Sequence, residues 1–266
     1  MPTDVSVVIV TYNSALAIGS TLDSLAALPG PERPLQIIVV DNASKDDSAG
    51  IASSRPGIEV LRNPENKGLA AASRMGAAAA GGSSLLLLNP DVIVREGSLA
   101  ALSAFASTHP SAGVLGPSLL GTDGSIQSTA RTFPSLASIA GRRTFLGRLP
   151  ALGRAVDAHL HPVAPEAPGM TDWLSGAALW LPPRGLALLG GFSPRYFLYF
   201  EDVDLCWRCW EAGLEVWYVP SSVMVHLCRR ESAGRPGKAL WLHLRSMLRF
   251  FADHPQAAFG HARRRA

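Results

Sequence analysis

Apolar residues in the first third of the chain come in short blocks, each closed by polar or turn-forming residues. Val5-Ser6-Val7-Val8-Ile9-Val10 runs into Thr11-Tyr12-Asn13, and Ile37-Ile38-Val39-Val40 runs into Asp41-Asn42. Ile58-Glu59-Val60-Leu61 is followed by the polar stretch Asn63-Pro64-Glu65-Asn66-Lys67-Gly68. The fourth block, Leu85-Leu86-Leu87-Leu88, lies between Gly81-Gly82 and Asn89-Pro90-Asp91 and is too short for a comfortable helix. Blocks of this length between turn residues fit strands buried on both faces of a parallel sheet. Pro90 cannot donate to a ladder, so the fourth strand ends before it. The intervening segments are helical in pattern. Leu16, Ile18, Leu22 and Leu25 follow a capping Ser14 and stop near Pro29-Gly30. Ser44 with Asp47 opens a second helix, and an alanine-rich third runs from about Leu69 to Ala80.

Strand and helix thus alternate through four strands. Right-handed crossovers fold such a chain into an α/β, Rossmann-like, mostly parallel sheet with helices on both faces. Ligands of open sheets of this kind bind beyond the carboxyl ends of the strands. Three strands here end in polar groups: Thr11-Tyr12-Asn13, Asp41-Asn42 and Asn89-Pro90-Asp91. Two aspartates on one rim suit a ligand with a base edge, sugar hydroxyls and phosphates, although Asn-Pro-Asp alone is also good turn chemistry. Neither GxGxxG nor GxxxxGK[ST] occurs, which argues against a nicotinamide Rossmann enzyme or a P-loop NTPase. A diphosphate bound here needs another counter-charge, and a divalent cation on carboxylate oxygen supplies one.

The second half is less regular. Val114 to Pro117 reads as a strand, Gly121-Thr122-Asp123-Gly124 as a turn, and Ser125 to Thr132 as an edge strand. Between Phe133 and Gly169 the pattern dissolves, with Arg142, Arg143, Arg148 and Arg154 among scattered leucines. That stretch reads either as a segment bordering the site or a membrane-surface patch, or as an insertion with a short helix. Glu201 and Asp202 open a helix that continues to Gly213, where acids suit the positive end and Asp204 reads as a cap. His226 closes the strand Ser222 to Val225. Lys238 to Asp253 predicts an amphipathic helix with Trp241, Leu244, Met247, Leu248 and Phe251 on its apolar face. Two uses suit that helix: packing on the domain, or contact with a membrane surface helped by Arg229, Arg230, Arg235 and Arg263-Arg264-Arg265.

Composition narrows the class. The 266 residues are 47% hydrophobic and 17% charged with a net charge of +3, which describes a globular chain and gives no reason to expect a nucleic-acid partner. No apolar stretch is long enough to span a bilayer, and the start lacks a secretory pattern, so the cytoplasm is the expected compartment. Three cysteines make no disulfide framework. Cys206 and Cys209, with His226 and Cys228, offer a zinc-site alternative.

The ordered set VSVVIVTYN, VVDNASKDDS, NPENKGLAAASRMG, LLLLNPDV, DWLSGAALWL, GGFSPRYFLYFEDVDLCWR and AGLEVWYVPSSVMVH resembles the family-2 nucleotide-sugar glycosyltransferases of GT-A fold, and most of all their rhamnosyltransferase-like branch. The resemblance covers about residues 5–232. It implies a GT-A domain over residues 1–235, with the nucleotide-sugar half in residues 1–120 and the acceptor half in 121–235, followed by the helix and basic tail of 236–266. It also implies inverting transfer from a nucleotide-diphosphate sugar, dTDP-L-rhamnose by branch, to a glycan or lipid-linked glycan acceptor. On the donor side, Thr11 and Tyr12 would line the nucleotide pocket and Asp41 would take the pyrimidine imide hydrogen. Asn66, Gly68 and Arg74 would sit beside ribose and diphosphate. Asn89 and Asp91 stand where the superfamily has D-x-D, so Asp91 with His226 would hold Mn2+ or Mg2+. On the acceptor side, Trp173 would form a wall, Gly176 would admit the donor sugar, Glu201 would position the acceptor, and Asp202 would be the base. Asp41 and Asn66 also suit Asx-turn capping. A nucleotidyltransferase on a similar sheet is the other enzyme class; such enzymes carry a Gly-rich basic loop where this chain has Thr11-Tyr12-Asn13-Ser14.

Overall fold

The computed structural model describes residues 4–134, 166–227 and 236–259. Strands β1 (Val5–Thr11), β2 (Gln36–Asp41), β3 (Ile58–Arg62) and β4 (Ser84–Leu88) alternate with helices α1 (Ile18–Ala26), α2 (Ser48–Ser53) and α3 (Leu69–Ala79). The four strands are parallel in the order β3-β2-β1-β4. Every residue of β1 and β4 is buried, as strands covered on both faces require. Alternation sends Val8, Val10, Leu85 and Leu87 into one core and Val7, Ile9, Leu86 and Leu88 into the other.

Beyond β4 the chain adds β5 (Val92–Val94), α4 (Ser98–Thr108), β6 (Ala112–Leu120), β10 (Ala178–Leu181), α5 (Pro183–Leu189), α6 (Glu201–Glu211), β11 (Glu215–His226) and α7 (Pro236–Asp253). The sheet continues β4-β10-β6-β11-β5. Strand β10 is antiparallel to both β4 and β6, β11 is parallel to β6, and β5 is antiparallel to β11. Following these directions, the carboxyl ends of β1, β2, β4 and β11 and the starts of β10 and β5 all fall on one rim. That rim carries Thr11, Asp41, Asn89, Gly176, His226 and Asp91.

Some expectations are corrected. Ser125 to Thr132 is not an edge strand: Ile126 makes a single bridge to Leu120, and only β7 (Ala130–Arg131) is extended, pairing with β9 (Trp173–Leu174) in a separate two-stranded sheet. A further short strand, β8 (Gly169–Met170), pairs with β11. Helix α1 begins at Ile18 with no side-chain cap, because the Ser14 carbonyl takes the first turn's N–H groups, and Leu16 stays 76% exposed. Strand β5, helix α4 and strand β10 carry no local signature: β5 is too short for a period, the apolar residues of α4 form no clear face, and β10 sits in a continuous Ala-Ala-Leu-Trp-Leu run. The Arg-rich stretch centred on residues 135–165 and the basic residues Arg229, Arg230, Arg235 and Arg263–Arg265 lie outside the described residues.

Asp204, expected as a cap, makes no capping bond to the helix backbone. It lies 4% exposed, with Arg208 Nε 2.7 Å from Oδ2 and His254 Nε2 3.2 Å from Oδ1. Arg208 also donates to the carbonyls of Leu189 (3.0 Å) and Gly191 (2.9 Å), so one buried network joins α5, α6 and the chain after α7. Burial works to raise the Asp204 pKa, but His254 and Arg208 outweigh it and hold the carboxyl below its usual 3.8. A depressed pKa stabilises the fold above the unfolded value and is lost as pH falls through the folded one. Asp204→Asn is therefore expected to cost about 1.5–3 kcal/mol near neutrality, a gap that closes below about pH 4. Urea melts of both proteins across that range check it.

Candidate active site

The loops after β1 and β2 hold each other. Asn13 N–H donates to Ser44 Oγ (3.0 Å) and Lys45 N–H to Asn13 Oδ1 (2.7 Å). Ser14 N–H donates to Ser48 Oγ (2.7 Å), and Ala15 N–H donates to Asp46 Oδ2 (2.9 Å). Asn13 and Ala43 adopt left-handed backbone (φ 56° and 64°), a strain these cross-loop bonds stabilise. At the strand ends beneath, Thr11 faces Asp41 in register, and Thr11 Oγ1 and Asp41 Oδ1 are buried without a hydrogen-bond partner. Such orphans cost about 1–3 kcal/mol each unless something pairs them. A ligand offering one donor and one acceptor would do so.

The Asx alternative holds for Asn66: its Oδ1 accepts from Asn42 Nδ2 and from Gly68 N–H, both at 2.9 Å. Asn42 Oδ1 in turn accepts from Asn63 and from Lys67 N–H. This amide network sets the loop before α3, while Asn42, Asn66 and Gly68 also line a cavity of about 280 Å³. Tyr12, Ser14, Asn89 and Asp91 border the same cavity. Gly68 is obligatory, since at φ 86° an added Cβ would lie 2.4 Å from the Phe197 carbonyl oxygen. Arg74 is exposed on α3 and does not line the cavity.

Asn89-Pro90-Asp91 is held from two sides. Thr21 Oγ1 donates to the Pro90 carbonyl (2.8 Å), and Leu227 N–H donates to the Asp91 carbonyl (2.9 Å). The β5–β11 register sets His226 opposite Val92, which brings His226 Nε2 to 3.4 Å from Asp91 Oδ1. No group of three or more His, Cys, Asp or Glu is placed to hold a metal ion among the described residues. Two protein donors nevertheless fit magnesium or manganese, which draw their remaining ligands from phosphate oxygens and water. A spacing of 3.4 Å also lies within the span of two ligands each roughly 2.1 Å from one ion.

Asp202 lies on the same rim. Its Oδ2 accepts from Gly176 N–H and its Oδ1 from Val203 N–H, both at 2.9 Å. The next carbonyl after Gly176, that of Ala177, accepts from Asn89 N–H (2.8 Å), so one turn bridges the two acidic segments. An added Cβ at Gly176 would come within 3.2 Å of the Asp202 side chain. Tyr199 and Phe200 immediately before the acids are both left-handed (φ 68° and 65°). Leu69 N–H donating to Phe197 O (2.7 Å) and Ser246 Oγ to Leu198 O (2.8 Å) clamp this segment, which lines the cavity through Phe197, Leu198 and Tyr199. The aromatic run just before Glu201 was the sequence signal for this wall. Trp173, expected as the wall, is instead 8% exposed, with its indole donating to Thr132 O (2.7 Å) and Arg131 over its ring.

Burial first, and then the Asp202 carboxylate, push the Glu201 carboxyl up to about 8, and its Oε2 is buried without a partner. Burial also raises Asp202, against the pull of its backbone donors and Arg131. Of the residues in the zinc alternative, Cys206 and Cys209 are both buried in the core on α6, where burial raises both thiols, Cys209 to about 12. Cys228 lies outside the described residues.

The chain is similar to known proteins in both sequence and fold. The model of glycosyl transferase family 2 matches residues 6–152. The N-acetylglucosaminyl-diphospho-decaprenol L-rhamnosyltransferase of Mycobacterium tuberculosis is 33% identical over 259 residues, covering 93% of this chain and 83% of its own. The pre-mycofactocin glycosyltransferase of the same organism is 32% identical over 229 residues, covering 84% of this chain and 42% of its own. Among solved structures, GalNAc-T7 with UDP, GalNAc and Mn2+ superposes with a TM-score of 0.66 at 18% identity, over 97% of this chain and 51% of that one. The mannosyltransferase PcManGT from Pyrobaculum calidifontis, in complex with GDP-Man and Mn2+, gives 0.62 at 19% identity over 96% of this chain and 65% of that one.

A carboxyl whose folded pKa is raised stabilises the fold fully below its unfolded value of 4.5, and that contribution is lost as pH rises through about 8. Glu201→Gln, which cannot ionise, is expected to remove this loss. The wild-type melting temperature should fall relative to the variant between about pH 5 and about pH 9, as scanning calorimetry at both ends checks.

Proposed function

The chain belongs to glycosyl transferase family 2, and from that premise we propose an inverting, metal-dependent transfer of a sugar from a nucleotide diphosphate to an acceptor hydroxyl. The observation that carries this reading is the bridge at Ala177. It ties the Asp91–His226 pair to the segment that holds Asp202, so a leaving-group side and an acceptor side share one rim. The sugar transferred is L-rhamnose, supported by the L-rhamnosyltransferase relative, with dTDP as the carrier that the sequence resemblance implies, and the acceptor is a lipid-linked glycan, supported by the diphospho-decaprenol in that relative's name.

In this reading Thr11 and Asp41 pair with the base edge through their unpartnered oxygens. Asn89, Asp91 and His226 face the diphosphate, where a divalent cation, when bound, neutralises charge on the departing phosphate. The acceptor oxygen attacks the anomeric carbon as the carbon–oxygen bond to the diphosphate breaks, and its proton passes to Asp202. Burial raises the basicity of that carboxylate, and the Gly176 and Val203 N–H groups keep it aimed. Glu201, neutral beside it, leaves a single negative charge at the base and orients the acceptor.

A lipid-linked acceptor calls for a membrane-facing surface. No helix among the described residues is long and apolar enough to cross a membrane. On α7, however, Leu242, Ser246 and Phe250 are buried, while Leu240, Trp241, Leu244 and Leu248 are 39–66% exposed beside Arg245 and Arg249. His243 on the same helix packs against the Tyr199 and Phe200 rings, so this outer face belongs to the element behind the cavity wall. An exposed apolar stripe with arginines suits the interface of an anionic bilayer.

Asp202→Asn is expected to lower transfer by roughly 10²–10⁴-fold while donor affinity stays within a few-fold, read by product formation and by calorimetric titration with the donor. Unchanged turnover rejects the base assignment. Replacing Leu244 and Leu248 together by Glu should abolish co-flotation with anionic liposomes and leave transfer to a short water-soluble acceptor intact. Equal flotation of both proteins rejects the membrane contact.

A further inference from the structure

We propose that Gln127 is a positioning residue for the cation site: it holds His226 with a proton on Nδ1, so that Nε2 offers its lone pair beside Asp91. The inference rests on the metal-dependent reading above. Gln127 Nε2 lies 3.2 Å from the His226 carbonyl oxygen, and Gln127 Oε1 lies 3.0 Å from His226 Nδ1. A backbone carbonyl only accepts, so the amide nitrogen of Gln127 has to face it. That orients the amide oxygen, also an acceptor, toward the imidazole, and the bond forms only if Nδ1 carries hydrogen. One side chain thus engages both the backbone and the ring of a single residue, which fixes the ring's plane as well as its tautomer.

Gln127 is itself anchored to the strand next to His226. Its N–H donates to the Leu119 carbonyl (2.8 Å), Ile126 bridges Leu120, and Leu120 is the register partner of Val225. The turn after β6 therefore exists in a shape that delivers an amide to the end of β11. Without that amide, a neutral imidazole 3.4 Å from a carboxylate prefers its proton on Nε2, donated to Asp91, and the metal-facing lone pair is lost. Ligating histidines generally give their other N–H to an outer acceptor, and losing that acceptor weakens metal binding by roughly 10–100-fold. A glutamine leaves the carboxylate of Asp91 as the nearby negative charge. A glutamate at the same place would accept from Nδ1 equally well, though it would lose the donor to the carbonyl.

The test uses the full chain, uniformly labelled with nitrogen-15 histidine and free of metal, at about pH 8.5, where an ordinary imidazole is neutral. Long-range proton–nitrogen correlation reads the tautomer, with His226 identified by its absence in His226→Asn. Wild type should show Nδ1–H, and Gln127→Leu should move the population toward Nε2–H. Paramagnetic resonance of free Mn2+, titrated with dTDP present, should show roughly 10–100-fold weaker binding in Gln127→Leu and recovery to within a few-fold in Gln127→Glu. An Nε2–H tautomer in wild type overturns the inference without any variant. Equal Mn2+ affinity of wild type and Gln127→Leu overturns it while leaving the metal reading standing. Absence of Mn2+ binding in wild type with dTDP overturns the metal reading, and the role given to Gln127 toward the cation falls with it.

Discussion

The antiparallel pairing of β5 with the last three residues of β11 is the contact on which the rest of this site depends. Strand β5 has three residues, far too few to hold a place in a sheet by ladder bonds alone. Its position is secured instead by its surroundings. Val92 and Val94 are buried in the core, and Ser24 Oγ accepts from Val94 N–H (3.0 Å). Thr21 and Leu227 take up the flanking carbonyls. Because side chains alternate strictly along a strand, one residue of slippage would turn His226 away from Asp91. A metal-suited pair is thus made by a sheet register joining residues 135 positions apart.

Around that contact the rim is built from groups left incomplete. Thr11 Oγ1, Asp41 Oδ1 and Glu201 Oε2 are buried and unpartnered. The four left-handed non-glycine residues among those described, Asn13, Ala43, Tyr199 and Phe200, all lie beside it. Each such conformation costs about 1–3 kcal/mol and persists only where neighbours over-determine it. Here the neighbours are the reciprocal bonds between the first two loops and the clamp on residues 197–200. The stability given up at the rim is offset by two fully packed cores on either side of the sheet.

Helix α7 belongs to this arrangement although it follows the sheet. Its inner face packs Phe250 against Phe200 and Trp207, and the adjoining His254 enters the Asp204–Arg208 network. Helix α6, whose first turn presents Glu201 and Asp202, is therefore braced along its length by α7. Anything that α7 touches with its outer face is mechanically linked to the segment that shapes the cavity.

The amino-acid sequence by itself determined the first four strands and their helices. Each is a short buried block with local punctuation, and period and turn chemistry are properties of neighbours in the chain. It also determined that polar groups end three of those strands, and it carries over about residues 5–232 the family resemblance from which roles for Asp91, Asp202 and His226 are expected. Tertiary structure alone decided where β5, β10 and β11 insert, because a three-residue strand and an apolar run without a period carry no local signature. It separated Trp173, which the sequence offered as a wall but which packs into the core, from Tyr199 and Leu198, which do form one. It turned Asp204 from a helix cap into the centre of a buried ion network, and it assigned Gln127 a partner 99 positions away. Pairing, burial and charge compensation are relations between distant segments, and they come into being only once the sheet has closed.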